Sequence, residues 1–101
     1  MGINVRVESE RGEAEAELLD PHNLTAKVVS VCETSSKCVR FIDPHGDTTF
    51  NQLQLPVLIG EVERALASVS DPKAMSHGQA ILRLARQASS EVHTYLKFIG
   101  D

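Results

Sequence analysis

Two carboxylates and an imidazole stand at alternate positions in Asp43, His45 and Asp47. Alternate side chains on a tight loop can converge on one point, and this donor set suits several divalent cations or general acid–base work. His93 would complete such a site if the fold returned it to the same place. The local sequence also has a plainer origin. Asp43-Pro44-His45-Gly46 is turn chemistry in order, with Asp43 capping the turn, Pro44 presetting φ and Gly46 free to take positive φ. The spacing of an EF-hand loop is absent. A small enzyme or metal-binding protein using Asp43, His45, Asp47 and His93 is therefore the alternative reading. The leading one assigns no catalytic residue, no metal and no cofactor.

The other nucleophiles and ligands are scattered. None of the four histidines, His22, His45, His77 and His93, is spaced i, i+4 from another, and no H-E-x-x-H occurs. His77 is expected at a helix surface or partly packed. Cys32 and Cys38 are close enough in sequence to be bridged, but the free thiol is the default in a reducing compartment. Cys38, in an expected strand, reads as buried and inert. No P-loop, glycine-rich dinucleotide fingerprint, G-x-S-x-G or C-x-x-C pair is present.

Charge points elsewhere. The 101 residues carry a net charge of −4, and residues 1–20 hold six acids against Arg6 and Arg11. The remaining 81 residues hold eight acids and eight bases, so all the net charge lies at the N-terminus. This balance opposes binding to nucleic acid or to an anionic membrane. Lys73, Arg83 and Arg86 lack stacking aromatics and read as exposed helix surface. Glu13, Glu15 and Glu17 alternate with Ala14, Ala16 and Leu18, which would set three carboxylates on one side of a strand. These three are the candidate partner-binding residues, suited to a basic protein. No apolar run approaches the roughly 20 residues of a membrane span. The N-terminus has no basic segment leading into an apolar one. A soluble, cytoplasmic protein is expected.

Several elements must position these groups. Ile3, Val5 and Val7 alternate with polar residues and predict a strand. Gly12 marks a turn into a second strand carrying the glutamates. Asp20-Pro21 signals a helix start, and residues 22–31 fit a short helix although their valines also suit a strand. Residues 32–36 read as loop. Lys37 to Asn51 predicts a hairpin, with strands on both sides of the Asp43–Gly46 turn and a G1 bulge at Gly46. Pro56 opens an amphipathic helix marked by Leu55, Leu58, Ile59, Val62, Leu66 and Val69, with Glu61 on its polar side. Asp71-Pro72 starts another, marked by Ala74, Gly78, Ile81, Ala85, Ala88 and Val92, whose small residues permit close packing. Residues 93–99 form a final strand.

The expected fold is α+β in one domain, 1–101: a mostly antiparallel sheet of about five strands with a two-helix hairpin packed on one face. Its other face stays wet unless something binds it. Small size, an open face and the missing cofactor motifs favour a protein-interaction or regulatory role over catalysis. Such a protein would neutralise or modulate a partner through the open face or the acidic hairpin, or associate with itself as a homodimer.

Overall fold

Val5 and Val7 alternate with Asn4, Arg6 and Glu8, and this period of two forms strand β1 (Asn4–Ser9) with its valines wholly buried. The computed structural model describes residues 2–32 and 35–100. Strand β2 (Ala14–Leu18) returns beside β1, and helix α1 (Leu24–Ser30) follows. A 3-10 turn spans Val39–Phe41, then come strand β3 (Asp47–Phe50), helices α2 (Leu55–Leu66) and α3 (Pro72–Ser90), and strand β4 (Thr94–Ile99). The four strands make one antiparallel sheet in the order β2-β1-β4-β3.

The α+β class holds, with four strands rather than about five and three helices rather than a two-helix hairpin. The missing strand is the first arm of the expected hairpin. Lys37, Cys38 and Val39 all donate their backbone N–H to the carboxylate of Glu61, at 2.5, 3.1 and 3.0 Å. Successive N–H groups of a strand point to opposite sides, so three consecutive donors on one carboxylate cannot be strand geometry. Phe41 N–H and Ile42 N–H bond back to Cys38 and Val39 carbonyls, which closes the 3-10 turn. β3 pairs instead with β4, so the hairpin does not form. The turn itself survives: His45 N–H donates to Asp43 Oδ1 at 2.8 Å, and Gly46 N–H faces the Asp43 carbonyl at 3.4 Å. Gly46 has no positive φ, and the expected bulge is absent. The loop expected over 32–36 lies partly outside the described residues, at positions 33 and 34.

The helices all pack on the face that presents Val5, Val7, Leu96 and Phe98. Phe50 and Phe98 meet edge to face there at 5.8 Å. In α2 the apolar stripe is as spaced, with Leu55, Leu58, Val62 and Leu66 buried. In α3 Asp71 caps the start by accepting from Lys73 N–H at 3.0 Å, and Ala74, Gly78, Ile81, Ala85 and Ala88 are buried. Gly78 lies directly against Leu66, a contact that a methyl group would obstruct. Val92 leaves the stripe because α3 has ended, and it is 79% exposed. α1 starts at Leu24, later than its Asp20-Pro21 signal, because the carboxylate of Asp20 caps it from outside by accepting from Leu24 and Thr25.

Candidate functional site

The expected site residues do not meet. Asp47 lies opposite Ile99 at one end of β4, whereas His93 precedes Thr94 at the other. Six residues of strand separate them, roughly 20 Å at about 3.3 Å per residue. Asp43, His45 and Asp47 are exposed, Asp43 is engaged in its own turn, and Asp47 pairs with Lys97 Nζ at 3.4 Å. His93 pairs through Nδ1 with Glu10 at 3.6 Å and has a left-handed backbone, φ 60°. Among the described residues no three His, Cys, Asp or Glu side chains gather as a metal cage would.

The three glutamates are exposed but do not share one side. The register slips between Val7 and Glu8: Val7 faces Ala16, yet Glu8 faces Ala14. This bulge puts Glu15 out of phase with Glu17. Glu17 lies on the open face, bonded to Arg6 at 3.0 Å, in a chain of charges that continues through Glu8 and Lys97 to Asp47. Glu15 meets Glu91, just beyond the end of α3, with Glu13 close by. Lost water contact, then these two neighbours, push its carboxyl above the usual range.

Two buried carboxylates dominate the interior polar chemistry. Asp20, 3% exposed, accepts from Ile3 N–H at 3.0 Å, Leu24 N–H at 2.6 Å and Thr25 N–H at 3.1 Å. Gly2 packs directly on the Asp20 carbonyl, where any side chain would clash. The Thr25 hydroxyl donates to the Ile3 carbonyl at 2.8 Å, so its one proton is used and it must accept from His77 Nε2–H, also at 2.8 Å. That assigns the His77 tautomer. His77, expected at the surface or partly packed, is buried, and burial holds its pKa below the ordinary value although Asp20 opposes the shift. It is therefore neutral at pH 7, and its 3.9 Å approach to Asp20 is no ion pair there. Burial pushes the Asp20 carboxyl up, but its three N–H donors outweigh this and hold it low. Asp20 and Thr25 both lie at the Nε2 side of His77, so the arrangement is no nucleophile–base–carboxylate relay, which needs the acid on the other ring nitrogen.

The second is Glu61, 6% exposed and not on a polar helix face as expected. Burial again raises its carboxyl, and again the N–H groups of Lys37, Val39 and Cys38, with Arg64, pull it below the ordinary value. It lies in the wall of a cavity of about 380 Å³, lined also by Cys32, Ser36, Lys37 and Arg64. Both cysteines are free thiols. Burial and then Glu61 push both thiols up, which keeps them protonated and poorly nucleophilic.

No protein-family model, curated protein or solved structure matches this chain. The sequence missed Glu61 and His77 although each carried a signal. Glu61 stands three residues after Leu58 and four before Ala65; His77 stands three after Ala74 and four before Ile81. Each is therefore a polar residue inside an apolar arc.

Proposed function

We propose that this chain is a protein-interaction or regulatory protein that docks a basic partner through its acidic β1–β2 hairpin and the uncovered face of its sheet. One observation carries the reading: the helices pack on a single face, and the other presents Arg6, Glu17, Lys97 and Asp47 to solvent. Glu13, Glu15 and Glu17 remain exposed, Glu15 and Glu17 on the outer strand β2 and Glu13 just ahead of it. No helix among the described residues is long and apolar enough to cross a membrane; action in the cytoplasm belongs to the proposal.

Affinity capture at low salt, with sizing by light scattering, tests it. The variant Glu13→Lys/Glu15→Lys/Glu17→Lys alters only exposed side chains and serves as the control. A basic partner should co-elute in fixed proportion with the natural chain and fail to bind the variant. It should also be released at about 1 M salt, where screening acts within about 3 Å. Capture of the same proteins by both chains would overturn the reading.

A further inference from the structure

At the His93 end of the sheet, Leu53 and Val92 are 87% and 79% exposed, and with Tyr95 they line a hollow of about 270 Å³. Exposed apolar side chains on a loose loop would mean little, but these loops are tied down. The Gln52 amide nitrogen lies 2.6, 2.7 and 3.1 Å from the carbonyls of Ala88, Glu91 and Thr94 and shares its two N–H donors among them, which binds the β3–α2 turn to the α3–β4 turn. Asn51 Oδ1 accepts from Leu53 N–H and Gln54 N–H, at 3.0 and 3.1 Å, and fixes the turn that holds Leu53 outward. The hollow is thus built before any ligand arrives, and a preformed site loses little entropy on binding.

Its surroundings say what would fit. Elsewhere among the described residues the surface acids other than Asp43, which is engaged in its own turn, are matched: Glu8, Glu17 and Asp47 by Arg6 and Lys97, Glu63 by Arg86, Asp71 by Lys27. Beside the hollow, Glu10 has only His93 among the described residues, and Glu15 and Glu91 lie against each other near Glu13. Among the described residues none of Glu13, Glu15 and Glu91 is paired with a cation. A second copy is a poor occupant, because a two-fold contact would set this acidic rim against itself. We propose that the hollow between Leu53, Val92 and Tyr95 receives an apolar side chain from a segment of another protein, whose flanking lysines or arginines lie over Glu13, Glu15 and Glu91.

This inference rests on the docking function proposed above and names the part of the surface that selects the partner. Random peptides are panned in parallel on the natural chain and on Leu53→Ser/Val92→Ser. Both substitutions fall at exposed positions, so the variant keeps its fold. Peptides with Lys or Arg flanking a large apolar residue should be enriched on the natural chain and bind the variant roughly tenfold more weakly, the scale of one buried aliphatic side chain. Absence of such peptides, or equal binding to both chains, overturns the hollow as the docking site. Equal binding that is lost in Glu13→Lys/Glu15→Lys/Glu17→Lys would leave the docking function standing on charge alone. Peptides indifferent to both variants would remove both.

Discussion

Asp20 and Glu61 each hold a buried carboxylate against three backbone N–H groups, yet one is sealed in the interior and the other lies in a cavity wall. Their donors differ as well. Those of Asp20 come from Ile3, ahead of β1, and from Leu24 and Thr25 at the start of α1, so one side chain ties the sheet to a helix. Those of Glu61 are the consecutive residues Lys37, Cys38 and Val39, so it holds a single loop against α2. Equal numbers of hydrogen bonds therefore do not imply equal weight. What matters is how many elements the donors belong to, and whether water can replace the carboxylate when it is lost.

The sharpest test removes each carboxylate in turn. Asp20→Ala strands the buried N–H groups of Ile3 and Thr25 and the part-buried N–H of Leu24, and should cost about 3–5 kcal/mol, since each unsatisfied buried donor costs about 1–3 kcal/mol. That is a large share of the roughly 5–15 kcal/mol that stabilises a domain. Glu61→Ala should cost about 2 kcal/mol or less, because water in the adjoining cavity can solvate the freed groups. Urea denaturation measures both. Equal losses would show that the cavity gives no relief. Hydrogen exchange separates the modes: Glu61→Ala should speed exchange at 37–42 while leaving β1 and β4 protected, whereas Asp20→Ala should lower protection across the sheet.

The same contrast explains what could be read in the sequence. The strands β1 and β4 and the helices α2 and α3 were legible because their periodicity is local and unopposed. The segment 37–43 was not. Val39, Phe41 and Ile42 suit a strand, but the Glu61 carboxylate claims three successive N–H groups, and tertiary hydrogen bonding overrode the propensity. The glutamates of β2 were misplaced because one bulge breaks an alternation that looks uninterrupted in sequence. Asp43, His45 and Asp47 drew attention through chemistry that the turn and Lys97 already use. The positions of Glu61 and His77 inside apolar arcs were visible, but the donors they meet lie far away in the chain, and no local pattern names them.

Protonation offers the smallest and most selective perturbation. His77 is held neutral, with its pKa below the ordinary value of about 6.5. As pH falls through that value, the unfolded chain gains a proton that the folded chain resists, so stability declines with acid. Asp20 and Glu61 also have lowered pKa values, but their unfolded counterparts gain protons only near pH 4, so their contribution is lost in a separate, lower window. The urea midpoint should therefore fall in two stages between pH 7.5 and pH 3. His77→Gln keeps an N–H donor for Thr25 but does not titrate, and it should abolish the upper stage alone. Glu61→Gln should shrink the lower stage and leave the upper one unchanged, because Glu61 does not contact His77 or Thr25. If the upper stage persists in His77→Gln, the neutral histidine bonded to Thr25 is not the source of the pH dependence, and the sealed site does not differ from the open one in its response to acid.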